Sequence, residues 1–328
     1  MAFRAFWVEK GDAGFSYSVT ERAEADLPDG EVLIDVAYSS LNYKDALSAT
    51  GNPGVTRNFP HTPGIDAAGT VVESSSDQFA AGQAVLVMGY DLGMNTPGGF
   101  GQRIRVPADW VVTMPDGLDA YTSMVLGTAG FTAALSVEKL LHVGLDADSG
   151  EVLVTGAGGG VGTVAVALLA KLGYTVAAVS GKADKADALK ALGASTILSR
   201  EEAAEGADRP MLAERWAGAV DTVGGVILGN AIKSLKHSAS VAACGLAASP
   251  EIPGTTVLPF ILRHVNLLGI DSVELPIAHK RALWAKLGDE WLMDLSSIAE
   301  TIELDDLPDA IGSILQGGVF GRRVVKVS

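Results

Sequence analysis

The sequence predicts an α/β protein of two domains, a β-rich barrel-like domain followed by a doubly wound parallel sheet. Its 328 residues exceed the roughly 100 to 200 residues of a single domain. The first 120 residues contain short β-type runs separated by turn residues, whereas the region after Glu151 alternates strands with helices. A hydrophobic fraction of 48% with 19% charged residues is typical of a chain that folds.

The first domain is predicted from five β-type runs and the turns between them. Clusters such as Pro28-Asp29-Gly30 and Gly51-Asn52-Pro53-Gly54 are typical turn sequences. A helix-like stretch at residues 120–141 ends this pattern, so we place the domain change near its start. The predicted strands are residues 3–9, 31–39, 69–73, 84–89 and 102–107.

The second domain is predicted from strands that are separated by helices of 10 to 15 residues. This alternation indicates a parallel sheet, because parallel strands need a crossover connection. The predicted strands are residues 152–155, 175–179, 196–198, 219–223, 240–243 and 266–270, and the predicted helices are residues 161–172, 185–192 and 226–235.

The last part of the chain is predicted to return to the first domain. Two helices, at residues 280–292 and 307–315, precede a β-type run at 323–327 that the parallel sheet does not need. We therefore expect a first domain of residues 1–122, completed by residues 295–328, and a second domain of residues 123–294.

Charge and cysteine content exclude several classes of protein. The 39 acidic and 24 basic residues give a net charge of −15, which disfavours general binding to nucleic acid or to anionic membranes. Cys244 is the only cysteine, so an internal disulfide is impossible and a reducing, cytoplasmic location is expected. The apolar stretches 161–172 and 258–270 are shorter than the roughly 20 residues of a membrane span. The N-terminus lacks the features of a signal peptide.

A glycine-rich turn between a buried strand and an apolar helix predicts a dinucleotide site. Glycines allow the backbone to approach a pyrophosphate, and the following helix start favours its negative charge. An ATP-type phosphate loop is excluded because Thr163, and not Lys, follows the last glycine. The alternative is a turn needed only for tight packing. The proposed pyrophosphate contacts are Gly158, Gly159, Gly160, Val161 and Gly162.

The end of the next predicted strand favours NADPH over NADH. An NAD site places an acidic residue there to bind the ribose hydroxyl groups, and that carboxylate would repel a 2′-phosphate. This sequence has Ser180 instead, followed by Gly181 and Lys182, with Arg200 after the third strand. A hydroxyl and two cations suit a phosphate ester. The alternative is a helix-start serine followed by solvated cations.

Five segments resemble the medium-chain dehydrogenase/reductase superfamily over the whole chain, and within it the zinc-free quinone oxidoreductase-like branch. They are most similar to its NADPH-dependent acryloyl-CoA reductases. The resemblance implies a GroES-like β-rich barrel domain and a Rossmann doubly wound parallel-sheet domain. The segments are Ser-Ser-Leu-Asn-Tyr-Lys-Asp at 39–45, Asn-Phe-Pro-His-Thr-Pro-Gly-Ile-Asp at 58–66, and the strings at 127–132, 243–247 and 259–263.

The residues at the expected metal position differ from those of zinc alcohol dehydrogenases. In that branch of the superfamily a cysteine stands where Asn42 is, and Gly-His-Glu stands where Gly64-Ile65-Asp66 is. Tetrahedral zinc needs three or four converging Cys, His or carboxylate ligands. We therefore expect no metal. Without a Lewis acid, reduction of a carbon–carbon bond already polarised by a carbonyl is favoured, because an enolate needs hydrogen-bond donors.

The resemblance implies that NADPH delivers hydride to the β-carbon of acryloyl-CoA, and that protonation at the α-carbon gives propanoyl-CoA. The candidate catalytic residues are Tyr43, Asn42 and Asp45. The resemblance places Tyr43 at the nicotinamide edge, where it either packs on the cofactor or donates to the substrate, while Asn42 and Asp45 either orient the site or cap a helix. It also implies contacts with the nicotinamide from the segments that carry Leu246, Ile261 and Ser272. Candidate residues for the phosphates of coenzyme A are Arg57, Arg263 and His264.

Other functions remain open at this stage. The same hydride route would serve a general NADPH-dependent quinone or enone reductase, and a non-catalytic NADPH-binding protein would need the same glycine turn. A zinc alcohol dehydrogenase is the third alternative.

Cys244 follows an apolar strand without a nearby His or Asp in sequence, so a buried inert thiol is expected. We expect a homodimer, because the strand at residues 266–270 could pair with its symmetry mate.

Overall fold

A computed structural model describes residues 1–12 and 14–328, which form two compact units. The first unit comprises Met1–Thr128 and Ser272–Ser328, and the second comprises Ala129–Asp271. The strands are β1 Ala2–Gly11, β2 Gly14–Ala23, β3 Val32–Leu41, β4 Asp66–Ser74, β5 Ala84–Met88, β6 Arg103–Val106, β7 Val111–Thr113, β8 Val152–Val154, β9 Val176–Val179, β10 Ala194–Leu198, β11 Trp216–Asp221, β12 Leu235–Ala243, β13 Asn266–Gly269, β14 Ala299–Glu303 and β15 Arg322–Lys326. The helices are α1 Tyr43–Ala49, α2 Ala120–His142, α3 Gly160–Lys171, α4 Ala186–Ala191, α5 Arg200–Ala204, α6 Gly225–Ser234, α7 Leu258–Arg263, α8 Ile277–Leu287 and α9 Leu307–Leu315.

The first unit is built on a mostly antiparallel sheet of seven strands. Its order is β14-β15-β3-β4-β5-β7, with β6 paired to β3, and a separate hairpin joins β1 to β2. The C-terminal strand β15 pairs antiparallel with β3, and parallel with β14. Phe6, Ile34, Phe100 and Val325 lie in one buried apolar cluster, so residues from both ends of the chain share a core.

The second unit contains a parallel sheet of six strands in the order β10-β9-β8-β11-β12-β13. The central strands β8, β9 and β11 are completely buried. Strands that are covered on both faces read as continuous apolar runs, and this is why the sequence pattern located them. The predicted phosphate-binding residues of the dinucleotide site follow the carboxyl ends of β8, β9 and β10.

Residues 123–128 and 272–294 lie in the first unit, whereas the predicted boundaries placed both segments in the second. The Lys280 ammonium is buried and donates to the carbonyls of Val273, at 2.7 Å, and of Met88, at 3.1 Å. The Arg281 guanidinium donates to the Val111 carbonyl at 3.2 Å. These bonds attach α8 to β5 and β7. The acceptor strands lie more than 150 positions earlier, so a local pattern could not indicate the attachment.

In the parts of the chain that are described, one helix has the length and composition to cross a membrane, namely α2. Its most apolar window is 78% buried, which is typical of a core helix. The helix bends at Gly127, where φ is 50° and ψ is −159°. A positive φ of this kind favours glycine. The bend brings Thr128 to the cluster of buried polar residues described below.

Candidate functional site

The glycine turn of the second unit follows β8 and leads into α3. Gly162 lies in the first turn of α3, and a Cβ atom there would be 2.3 Å from the Gly156 carbonyl oxygen. Only a glycine therefore allows the helix to begin so close to the turn. The first N–H groups of a helix have no partner within it, and together with the helix dipole they favour an anion. Gly160 and Val161 lie at this helix start.

A cavity beside the turn brings together six of the thirteen predicted cofactor residues. Gly158 and Gly159 of the turn line it, as do Ser180, Gly181 and Lys182 after β9 and Arg200 at the start of α5. These residues are up to 42 positions apart in the sequence, and the carboxyl ends of neighbouring parallel strands bring them to one edge of the sheet.

The cavity has the electrostatic character of an anion site. Burial, and then the Arg200 guanidinium, lower the pKa of the Lys182 ammonium. A Cβ atom on Gly181 would lie 2.4 Å from Arg200 Nε, so the guanidinium lies directly against this glycine. The Lys182 N–H donates to Ser180 Oγ at 3.1 Å, which holds the hydroxyl beside the two cations. A phosphate monoester matches this set of groups.

A second cavity adjoins the first and shares Arg200 and Ile227 with it. Most of its other lining residues are small or apolar. A flat aromatic group linked to a phosphate could therefore occupy both cavities together. The remaining lining residues are Glu201, Ala204, Gly225, Val226, Ala248, Ser249 and Pro253.

Asp221, at the end of β11, holds the glycine turn in place and was not identified from the sequence. Its carboxylate accepts from Thr155 Oγ1 at 2.6 Å and from the Gly224 N–H at 2.8 Å. Burial raises the pKa of Asp221, while the hydrogen bond from Thr155 lowers it. In the sequence, the available signal for Asp221 was a carboxylate at the end of an otherwise apolar strand.

Nearby, burial raises the pKa of Cys244 to about 12, so this thiol stays protonated at neutral pH.

In the first unit, Tyr43 begins α1 and is 47% exposed, whereas its neighbour Asn42 is buried. The Asn42 side chain uses both ends of its amide. Its Nδ2 donates to Asp66 Oδ2 at 2.8 Å, and its Oδ1 accepts from Arg322 Nη1 at 3.3 Å. The side chain therefore anchors the start of α1, and the exposed phenol of Tyr43 is the group next to it that can meet a ligand.

Asp45 is completely buried beneath the same helix start. Its carboxylate accepts from the backbone N–H groups of Asn42 and Ile65, both at 2.8 Å. Burial, and then the nearby Asp66 carboxylate, raise the pKa of Asp45 to about 7, although the two N–H groups lower it. Asp45 thus acts on the backbone around Tyr43 and is enclosed by protein.

Asp66 is the centre of this arrangement. Its carboxylate accepts from Thr128 Oγ1 at 2.6 Å, from the Thr128 N–H at 2.9 Å, and from Ser40 Oγ. The Arg322 guanidinium is buried nearby and donates through Nε to the Val125 carbonyl at 2.9 Å. We call Asn42, Asp45, Asp66 and Arg322 the Asp66 cluster. From the sequence, Asp66 was considered only as the residue that stands where the zinc enzymes have the glutamate of Gly-His-Glu. Arg322 was not identified from the sequence.

The three candidate residues for coenzyme A differ in their surroundings. Arg57 is exposed, and its Nε donates to the Pro53 carbonyl at 3.2 Å. Arg263 donates to the carbonyls of Leu212, at 2.6 Å, and Lys233, at 2.8 Å, so its guanidinium is engaged in closing a loop. His264 has a left-handed backbone with φ of 52° and contacts Ser238. Arg57 and His264 are thus both exposed, and Arg57 is the arginine of the set whose guanidinium is accessible.

The remaining predicted contacts are divided between the units. Leu246 and Ile261 belong to the second unit and are 62% and 69% exposed, while Ser272 is buried at the start of the second segment of the first unit. Within residues 1–12 and 14–328, no group of three or more His, Cys, Asp or Glu side chains is arranged to hold a metal ion.

Two family models match the chain. Residues 28–116 match the alcohol dehydrogenase GroES-like domain, and residues 160–289 match the zinc-binding dehydrogenase domain. Together with the parallel sheet, these matches confirm the predicted α/β fold with a GroES-like domain and a Rossmann-type domain.

Individual relatives are similar over the full length. The acrylyl-CoA reductase AcuI of Ruegeria pomeroyi is 46% identical over 329 residues, covering 99% of each chain. The crystal structure of the yhdH oxidoreductase from Salmonella enterica in complex with NADP is 47% identical, covers 99% of this chain and 100% of that chain, and has a TM-score of 0.96.

A third relative has a different bound nucleotide. The Bacillus subtilis protein yhfP, solved with NAD bound, is 44% identical, covers 99% of each chain, and also has a TM-score of 0.96. Identity of this extent over the whole chain establishes common descent. The chain belongs to the medium-chain dehydrogenase/reductase superfamily, among relatives that include acrylyl-CoA reductase and quinone oxidoreductase-like proteins.

Proposed function

We propose that the protein is an NADPH-dependent reductase that converts acryloyl-CoA to propanoyl-CoA. The observation that carries this proposal is that the glycine turn, Ser180, Lys182 and Arg200 line the same cavity. The full-length similarity to an acrylyl-CoA reductase supports the choice of substrate. When bound, NADPH supplies the hydride that adds to the β-carbon of the acryloyl group, and the α-carbon takes a proton.

The second unit binds the cofactor. Gly158 to Gly162 and the start of α3 hold the pyrophosphate, because glycines admit its oxygen atoms close to the backbone. Ser180, Gly181, Lys182 and Arg200 hold the 2′-phosphate, and the adjoining apolar cavity takes the adenine ring. We assign Leu246 and Ile261 of this unit to the nicotinamide end, together with Ser272, which belongs to the first unit.

The first unit presents Tyr43 to the reacting groups. Its phenol either packs on the nicotinamide or donates a hydrogen bond to the thioester oxygen of the substrate, where negative charge develops. Asn42 and Asp45 act indirectly in this proposal. They hold the backbone of α1 through the hydrogen bonds described above, and so orient Tyr43.

The proposed reaction is zinc-free because the donor set at the position of the family's metal is unsuitable. Asn42 and Ile65 stand where the zinc enzymes have cysteine and histidine, and Asp66 is engaged by Ser40 and Thr128. The thioester carbonyl already polarises the double bond of acryloyl-CoA, so the residues need only to stabilise an enolate-like charge.

A homodimer in the cytoplasm completes the proposal. Strand β13 lies at the end of the six-stranded sheet, and Leu267 on it is 39% exposed. An exposed strand edge can pair with the same strand of a second copy across a twofold axis. A single cysteine and the use of NADPH with an acyl-CoA fit the reducing conditions of the cytoplasm.

The choice of substrate is tested by steady-state kinetics with NADPH on acryloyl-CoA, crotonyl-CoA, methyl vinyl ketone and benzoquinone. We expect kcat/KM for acryloyl-CoA to exceed the values for the ketone and the quinone by at least about tenfold, because the CoA moiety adds binding energy that the small acceptors lack. A quinone that reacts as well as acryloyl-CoA would favour the general quinone or enone reductase. No turnover of any acceptor, with tight NADPH binding, would favour the non-catalytic alternative.

The cofactor choice is tested by Lys182→Ala, with Lys185→Ala as the matched control. Lys182 lines the phosphate cavity, whereas Lys185 lies beside the Asp184 carboxylate, 3.4 Å away. Loss of one charge-assisted bond, about 1.5 to 3 kcal/mol, should raise the KM for NADPH roughly tenfold to a hundredfold and leave the KM for NADH nearly unchanged. Equal effects on both cofactors, or a wild-type preference for NADH, would contradict the 2′-phosphate assignment.

The coenzyme A contact is tested by Arg57→Ala. We expect a KM for acryloyl-CoA that is roughly three to ten times higher, because an exposed charge pair contributes about 1 kcal/mol. The KM for acryloyl-pantetheine, which lacks the adenosine phosphates, should not change. Arg4→Ala is the control, since Arg4 is exposed in the same unit but pairs with Asp305. Equal losses with both thioesters would remove Arg57 from the site.

The dimer is tested by sedimentation velocity. The wild-type protein should sediment as a species of twice the chain mass. Leu267→Asp should shift the equilibrium toward the monomer, because a charge on the edge strand opposes pairing. Leu292→Asp, at a residue of similar exposure (41%) in the first unit, should remain dimeric. A wild-type monomer at micromolar concentration would refute the assembly.

A further inference from the structure

We propose that Arg322 is a positioning residue for the reaction: its buried guanidinium holds the first turn of α1 and thereby the orientation of Tyr43. This inference rests on the proposed function, in which Tyr43 meets the cofactor or the substrate. Arg322 is the first residue of β15, near the end of the chain, and none of the motifs in the sequence indicated a role for it.

The guanidinium connects two chain segments at the site. Nε donates to the Val125 carbonyl in α2 at 2.9 Å, and Nη1 donates to Asn42 Oδ1, immediately before Tyr43, at 3.3 Å. Arg322 is 3% exposed, so water does not compete for these bonds. A planar guanidinium can make both bonds at once, whereas a lysine ammonium at the same position could reach only one of the acceptors.

Arg322 also sets which way the Asn42 amide faces. With Oδ1 accepting from Arg322, the Nδ2 group is directed to Asp66, 2.8 Å away, and to Asp45 Oδ2, 3.2 Å away. Without the guanidinium, Oδ1 would be buried without its donor, and the amide would be held only through the bonds that Nδ2 makes to Asp66 and Asp45. The residue that precedes Tyr43 would then be held less firmly.

The charges in the Asp66 cluster favour a cation at the position of Arg322. Asp45 and Asp66 are both completely buried, and the like charges of two buried carboxylates repel each other. The Arg322 guanidinium is the cation of this cluster. Gly127 allows the close approach, because a Cβ atom there would lie 2.7 Å from Asp66 Oδ2 and 2.8 Å from Arg322 Nη2.

Such a cluster is more than a source of stability. Buried charged groups often contribute less to stability than well-packed apolar side chains would, whereas hydrogen-bonded polar groups can hold a defined geometry. Arg322 is hydrogen-bonded through Nε and Nη1, while its buried Nη2 has no partner among the described residues. The bonds of Arg322 converge on Asn42 and on the bend of α2, and α1 itself is only seven residues long. A short helix of this kind depends on tertiary contacts for its orientation.

The test uses fluorine NMR of the full-length protein labelled with 3-fluorotyrosine. The protein has six tyrosines, so six fluorine signals are expected. The Tyr43 signal is identified by its loss in Tyr43→Phe. In Arg322→Lys we expect the Tyr43 signal to shift or broaden while the Tyr174 signal in the second unit stays in place. Arg323→Lys is the control, since Arg323 is the next residue on β15 and pairs with Glu300 instead.

Kinetics provides the second readout, through a double-mutant cycle of Arg322→Lys and Tyr43→Phe. Arg322→Lys should lower kcat roughly tenfold to a hundredfold, as expected for misplacement of a reacting contact, and should change the KM for NADPH by no more than Tyr43→Phe does. If Arg322 acts through Tyr43, the double variant should be no slower than Tyr43→Phe alone. An unchanged Tyr43 signal in folded Arg322→Lys, or losses that multiply in the double variant, would overturn the inference.

The outcome for Arg322 is separable from that for the proposed function. The fluorine spectra are recorded without cofactor or substrate, so they report on the position of Tyr43 even if acryloyl-CoA is not turned over. An inactive wild type with a shifted Tyr43 signal in Arg322→Lys would refute the substrate and retain the link between Arg322 and Tyr43. A wild type that reduces acryloyl-CoA, with no shift of the Tyr43 signal in Arg322→Lys, would retain the substrate and refute the link between Arg322 and Tyr43.

Discussion

The buried carboxylate of Asp66 is the constraint on which the first unit depends. A charge removed from water must be paired or hydrogen-bonded, and Asp66 meets this requirement with donors from separate segments of the chain. Ser40 comes from β3, Asn42 precedes α1, and Thr128 follows the bend in α2. Arg322 adds the last strand. The same set of bonds therefore joins the two sequence segments of this unit and holds the exposed Tyr43 at their meeting point.

The second unit solves a different problem, that of holding an anion without bulky side chains. Its turn is supported from beneath by Asp221, which bonds to Thr155 at the end of β8 and to Gly224 before α6. The backbone supplies the donors at the start of α3, and the cations lie beside the next strand, at Lys182 and Arg200. In the proposed function, general recognition of a dinucleotide comes from the backbone, and discrimination of the 2′-phosphate comes from side chains.

The features that could be predicted from the sequence are those with a local signal. Buried parallel strands appear as apolar runs, and the glycine turn and Ser180-Gly181-Lys182 follow them at short spacing. Strands β2 and β14 were missed because they are partly exposed and rich in polar residues. The attachment of residues 272–294 to β5 and β7, and the bond between Arg322 and Asn42, join positions that are far apart in sequence. Their partners are chosen by tertiary packing, which periodicity does not reveal.

The most direct test of the central claim is the position of deuterium in the product. NADPH can carry deuterium on either face of C4 of the nicotinamide, which gives two diastereomers. One of the two should transfer its deuterium to the β-carbon of propanoyl-CoA. Unlabelled NADPH in D2O should place deuterium at the α-carbon. Label from the cofactor at the α-carbon, or transfer from neither diastereomer, would contradict the account.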